Sequence, residues 1–238
     1  MKHIKGQEKI IEQLREKNEN TIRDYIIGEL IIRELKETGI LENINSRTLE
    51  DLMSFADRDP AANSSSEYIL SSYKSFEAVR LHRIAHELSN FSSMVVEKGL
   101  ELKIIARRIS EDAKVLTLVE IHPEARIGRR FVIDHGTHTV IGQTSEIGDD
   151  CYILQGVVLG ARGIARNNAT KRHPTLGNRV ELGGWVQVLG AVTIGDDVKV
   201  SPWAVITDDV PARSKIIVRK THHYLHINNN GKTSFRAS

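Results

Sequence analysis

Leu176-Gly177-Asn178-Arg179-Val180-Glu181-Leu182-Gly183-Gly184-Trp185-Val186-Gln187-Val188-Leu189-Gly190-Ala191-Val192-Thr193-Ile194 carries an aliphatic side chain at every sixth position. A period of six belongs neither to an α-helix, at 3.6, nor to a plain strand, at 2. It is the mark of a β-solenoid whose short strands each turn a corner. Reading outward, the rhythm continues through Val200 and Ile206 and backward through Leu159, Ile153, Ile147, Ile141, Ile133, Ile127 and Ile121. Thirteen positions obey it, too many for chance alternation. Glycine often follows directly, as in Ile127-Gly128, Ile147-Gly148 and Leu182-Gly183. Two residues before most of the aliphatics sits a smaller or β-branched side chain, among them Ala125, Ser145, Val157, Val180, Val192 and Ala204. Cys151 falls in that small inward slot and reads as a core residue, not a nucleophile. Three hexads make one coil of a triangular prism, with the aliphatics stacked in ladders along its interior.

Before this repeat the chain reads as helix. Glu8 to Leu35, Ser75 to Leu88 and Met94 to Ile109 space their apolar residues three and four apart, amid Glu, Lys and Arg. The cluster Asp57-Arg58-Asp59-Pro60-Ala61-Ala62-Asn63-Ser64-Ser65-Ser66 marks a stop and restart between the first two. The expected fold class is therefore α+β: a helical domain over residues 1–118, a parallel β-helix over 119–218 and a polar, flexible tail over 219–238.

Composition removes several function classes. The 238 residues balance 33 Lys and Arg against 31 Asp and Glu, a net charge of +2, which argues against a nucleic-acid or polybasic membrane binder. The single cysteine excludes a disulfide framework and cysteine-rich zinc modules. No apolar run reaches the ~18 residues of a membrane span, and the charged start has no signal-peptide core, so a soluble cytoplasmic protein is expected.

A solenoid is a scaffold, so chemistry is expected where its period fails. It fails twice. Two extra residues separate Ile133 from Ile141, around Asp134-His135-Gly136-Thr137-His138, and a longer excursion from Gly160 to Thr175 contains Lys171-Arg172-His173-Pro174. Histidine beside a charged residue at both breaks points to function.

These strings resemble serine O-acetyltransferase, a member of the acyl-CoA-dependent acyltransferases with left-handed parallel β-helices. The matching segments are Ile121-His122-Pro123, Ile127-Gly128, Asp134-His135, Leu154-Gln155, Val158-Leu159-Gly160, Arg172-His173-Pro174 and Val188-Leu189-Gly190. In the helical half they are Asp57-Arg58-Asp59-Pro60-Ala61 and the segment from Ser75-Phe76 to His82-Arg83-Ile84-Ala85-His86. The left hand of the coil is implied by this resemblance alone.

The resemblance implies O-acyl transfer from coenzyme A to L-serine or a close analogue. A serine hydroxyl needs a positioned base to attack a thioester at neutral pH, and histidine, with an ordinary pKa near ~6.5, suits that task. His135 matches the base, and Glu120 stands where the family carries the aspartate that orients it. Arg172 matches the clamp on the amino-acid carboxylate, a task for a planar bidentate donor. His173 matches the second active-site histidine, and Asp59 and Asp134 match the carboxylates that receive the ammonium. The acyl-CoA donor, a co-substrate and not a tightly bound cofactor, is expected against Gly160, Ala161, Gly184, Trp185, Pro202 and Trp203; no metal is expected.

Departures from the family pattern fall mostly on the donor side. Gly142-Gln143-Thr144 replaces Gly-Glu-Thr, the Gly160-Ala161-Arg162-Gly163-Ile164 string leads into a longer polar loop, Ala165 to Thr170, and the closing Gly-x-Pro-Ala-Arg is absent. Trp185 and Trp203, one coil apart, are expected to stack on one outer face. They either fill the seam between subunits or narrow the donor groove; in the second case acetyl-CoA is used poorly and glycine at both positions improves its use. Two other readings stay open: the same pocket with a non-acetyl donor, and a zinc lyase of the γ-carbonic-anhydrase type built on His122, His135, His138 and His173. A homotrimer is expected, doubled to a hexamer by the helical half. Lacking the terminal isoleucine of some relatives, the tail is not expected to dock into cysteine synthase.

Overall fold

The computed structural model describes residues 2–26, 28–95, 98–163, 170–219, 224–229 and 232–237; of these, side chains are described for 6–26, 28–95, 98–163 and 170–219. Six helices come first: α1 (Lys2–Tyr25), α2 (Glu29–Glu37), α3 (Ile40–Arg58), α4 (Ser66–Ser72), α5 (Lys74–Phe91) and α6 (Gly99–Thr117), with a 3-10 turn at Pro60–Ala62. The helix expected over Glu8 to Leu35 is interrupted at Gly28, whose φ of 150° is open to glycine and strained for other residues. α3 was not marked out by apolar spacing, because its buried face includes Asn45, Thr48 and Asp51.

Leu118, at φ 59°, ends α6, and the prism begins at once. The first coil is β1 (Val119–Ile121), β2 (Arg126–Ile127) and β3 (Val132–Ile133). The second is β4 (Thr139–Ile141), β5 (Glu146–Ile147) and β6 (Tyr152–Ile153), and the third is β7 (Val158–Gly160), β8 (Thr175–Leu176) and β9 (Glu181–Leu182). The fourth is β10 (Gln187–Leu189), β11 (Thr193–Ile194) and β12 (Lys199–Val200), followed by β13 (Val205–Ile206) and β14 (Lys215–Ile216). Like-placed strands pair in parallel into three sheets, β1-β4-β7-β10-β13, β2-β5-β8-β11 and β3-β6-β9-β12-β14. They are sheets A, B and C below.

The hexad aliphatics face the interior and are buried, as are the small slots Ala125, Ser145, Cys151, Val157 and Val180. Each full burial of an Ile, Leu or Val contributes roughly 1.5–3 kcal/mol, so the ladder is the main stabiliser of coils too short to stand alone. Burial raises the Cys151 thiol to about 11, in keeping with an inert core residue.

The corner between sheets B and C forces Arg130, Asp150, Arg179, Asp197 and Arg213 to positive φ. Alternating charge holds them there: Arg130 donates to both oxygens of Asp150, and Arg179 to both of Asp197. The helices grip this edge. Arg83 of α5 makes a two-pronged ion pair with Asp51 of α3, donates to the carbonyls of Ile127 and Gly128, and both side chains are almost fully buried. Asp51 also accepts from the Phe131 amide at 2.9 Å.

Residues 224–229 and 232–237 form an antiparallel ladder, β15 (Tyr224–Asn229) with β16 (Lys232–Ala237). No described helix is long and apolar enough to cross a membrane.

Candidate active site

The predicted residues gather at two corners of the prism, at opposite ends of the sheet A strands. The first corner leads from sheet C to sheet A. After β3 the two extra residues form a tight turn in which Gly136 N donates to Asp134 O at 2.7 Å, and His135 takes φ 59°. The His135 side chain is 71% exposed, with Nδ1 3.9 Å from Asp134 Oδ1. Asp134 Oδ2 accepts from the Tyr152 hydroxyl at 2.8 Å. Asp59, at the end of α3, accepts from the Ala61 amide at 2.8 Å and from the Tyr73 hydroxyl at 2.6 Å. Each phenol feels both carboxylates, so Asp59 and Asp134 converge from the helical half and the prism.

The same corner carries the aromatic ladder. Trp185 and Trp203 stack with centroids 5.4 Å apart and planes 11° from parallel, as their spacing predicts. Trp185 also reaches His138, at 5.9 Å. It does so by lying over Gly156, where a Cβ would meet its ring at 2.4 Å. Gly184 and Pro202 belong to this corner too, Pro202 packing over Gly183.

The second corner leads from sheet A to sheet B. His173 is buried there, and its Nδ1 accepts from the Thr144 amide at 3.1 Å, with the Thr144 hydroxyl at 2.9 Å. An accepting Nδ1 leaves the proton on Nε2. Burial, with Arg172 adding to it, lowers the His173 pKa to about 4, so the ring is neutral at physiological pH. Thr144 Oγ1 also accepts from the amides of Arg172 and His173, both at 3.0 Å, and so clips the end of the excursion onto the second coil. The Arg172 guanidinium donates to Gln143 Oε1. His122 repeats the pattern: its Nδ1 accepts from the Glu124 amide at 3.1 Å, and burial lowers its pKa. Gly142 is required beneath His173, because a Cβ there would lie 2.1 Å from the imidazole Cδ2. Gly160 opens the excursion, its carbonyl accepting from the Gly190 amide, and Ala161 follows; residues 164–169, most of the longer polar loop, lie outside the described residues.

Within the chain the Glu120 carboxylate holds Lys114 Nζ at 2.6 Å and is not paired with His135. Glu120 is the central residue of β1, between inward-facing Val119 and Ile121, so it projects outward beside the last turn of α6. The carboxylate at His135 is that of Asp134. The four histidines of the zinc alternative do not converge within the chain either, since His135 and His138 occupy one corner and His122 and His173 the other. Sequence reading passed over Tyr73, Tyr152 and the clip role of Thr144. Tyr152 had a signal: it lies opposite Val132 on the next coil, within reach of Asp134.

A family model described as GMPPB C-terminal domain matches residues 115–224. The serine acetyltransferase of Helicobacter pylori (strain ATCC 700392 / 26695) is 44% identical over 162 residues, covering 68% of this chain and 87% of that protein. That of Bacillus pumilus is 40% identical over 168 residues, covering 71% of each. Among solved structures, serine acetyltransferase isoform 3 from Entamoeba histolytica, in complex with cysteine, superposes with a TM-score of 0.67 at 30% identity, covering 92% of this chain and 74% of that one. Soybean serine acetyltransferase complexed with serine gives 0.64 at 31%, covering 82% and 69%. These likenesses extend through helices and prism alike and carry the left-handed sense of the coil. Two-part architecture, broken hexad repeat and sequence identity agree: the chain belongs to the serine acetyltransferase family.

Proposed function

We propose that the protein transfers an acetyl group from acetyl-CoA to the hydroxyl of L-serine. The observation that carries this reading is the convergence of Asp59 and Asp134 beside an exposed His135, a setting that suits an ammonium group next to a hydroxyl. His135 takes the proton from the serine hydroxyl as its oxygen attacks the thioester carbonyl. The Asp134 charge stabilises the imidazolium so formed. Collapse of the tetrahedral intermediate breaks the carbon–sulfur bond, and the imidazolium returns the proton to the thiolate of CoA. Arg172 holds the serine carboxylate, and His173, neutral with Nε2–H outward, supplies a second donor there.

Because the two groups of residues lie at opposite ends of sheet A, a complete site needs two chains. We place it between neighbouring prisms of a homotrimer, His135, Asp134 and Asp59 coming from one and Arg172 and His173 from the next. Exposed Val205 on sheet A and Trp203 at its edge suit such a seam. Trp185, Trp203, Gly184 and Pro202 then form one wall of the donor groove, and Gly160 and Ala161 belong to the facing edge. The relatives support acetyl transfer to serine, not a different acyl donor or a zinc lyase.

The test is release of CoA thiol by purified protein over a panel of amino acids and acyl-CoAs. Serine with acetyl-CoA is expected to be the preferred pair. Turnover confined to another acceptor would overturn the reading.

A further inference from the structure

The acceptor carboxylates are held by two groups that play no part in the steps above. Tyr73, between α4 and α5, donates its hydroxyl to Asp59 Oδ2 at 2.6 Å, while Asp59 Oδ1 is taken by the Ala61 amide. Tyr152, on β6, donates to Asp134 Oδ2 at 2.8 Å from one coil above. Tyr152 is itself fixed: the Arg58 guanidinium lies 4.6 Å over its ring and donates to the Asp150 carbonyl at 2.9 Å. Each carboxylate is thus pinned from one side by a phenol from its own half of the molecule.

We propose that Tyr73 and Tyr152 are positioning residues for the acceptor, fixing Asp59 and Asp134 in their ammonium-receiving orientation. A hydrogen bond to a carboxylate oxygen removes a rotational freedom that the substrate would otherwise have to freeze out. It consumes one lone pair per carboxylate and leaves others for the ammonium. The phenols do not compete for the proton. Tyr73 is raised to about 12, chiefly by its bond to Asp59, and Tyr152 is raised by burial and then by Asp134, so both remain neutral donors. The charged and titratable groups facing this cluster are Arg58 of α3, Tyr68 of α4, Asp150 at the corner before β6, and His135 in the catalytic turn. Arg58 is the cation that faces the Tyr152 ring, and its guanidinium is engaged with that ring and the Asp150 carbonyl, so the task of holding both carboxylates in place falls to the phenols.

The role rests on the serine reading above, and the experiment separates the two. Tyr73→Phe and Tyr152→Phe keep the rings and remove only the hydroxyls. Each is expected to raise the serine KM about tenfold, with kcat changed far less and the acetyl-CoA KM unmoved. In an Asp134→Asn background Tyr152→Phe is expected to add little, since its effect runs through Asp134. Thermal melts confirm folding, and a melt lowered without a serine-specific KM change overturns the role. A parent that binds and acetylates serine, with Phe variants unchanged in serine KM, overturns the tyrosine assignment alone. A parent that binds no serine overturns the serine reading and this role with it.

Discussion

His135 is held out from the turn at positive φ with little packed around it, so its loss removes a proton acceptor and not a packing element. His135→Ala is expected to lower turnover on the order of 10²–10⁴-fold while light scattering shows the same assembly. Arg172→Lys is expected to weaken serine affinity more than turnover, because an ammonium cannot reproduce the planar fork. Gly142→Ala tests the second corner without removing a polar group. Its methyl would occupy the His173 ring position, so activity should collapse, with overpacking lowering the melt as well. A fully active Gly142→Ala protein would remove His173 from the site. The candidate residues at the two breaks stood out in the sequence because a fixed period makes any extra residue visible. The hexad tells which way a side chain such as Glu120 faces but not whom it meets, and its partner Lys114 lies outside the repeat.

At the scale of elements, the prism was legible because each aliphatic reports a purely local requirement, to face inward at its own hexad. The helical half was less so. α3 buries Asn45, Thr48 and Asp51, which hydrogen bonds from Asn18 of α1 and the Arg83 guanidinium satisfy, and a polar residue on a buried face looks like an exposed one in sequence. That exception is also where the two halves lock. Asp51→Ala leaves a buried guanidinium without its counter-charge and is expected to lower unfolding free energy by about 3–5 kcal/mol in urea denaturation. Replacing both partners by apolar residues of similar volume should recover part of the loss, because the uncompensated charge, not the missing bond, is the main penalty.

For the whole molecule, the proposed sharing of the site between chains makes a clear demand. His135→Ala and Arg172→Ala chains, each inactive alone, should regain activity when unfolded together and refolded, because some interfaces then unite an intact edge from each. Absence of recovery in verified mixed trimers would place the site within one chain. Acid should also loosen the fold. His82, His86, His122 and His173 are all depressed by burial below the ordinary 6.5, His173 to about 4. The unfolded chain therefore binds protons that the folded chain refuses. Stability from these groups is fully present above pH 6.5 and is lost as pH falls from there toward the folded values, so the melting temperature should drop across that window. The stacked indoles have a separate consequence. They are the only two tryptophans in the chain, so its long-wavelength emission comes from one excitonically coupled pair beside the His135 turn. Circular dichroism should show a paired positive and negative band that Trp203→Phe abolishes. Fluorescence altered when CoA fills the groove would make this corner a built-in optical probe that needs no label.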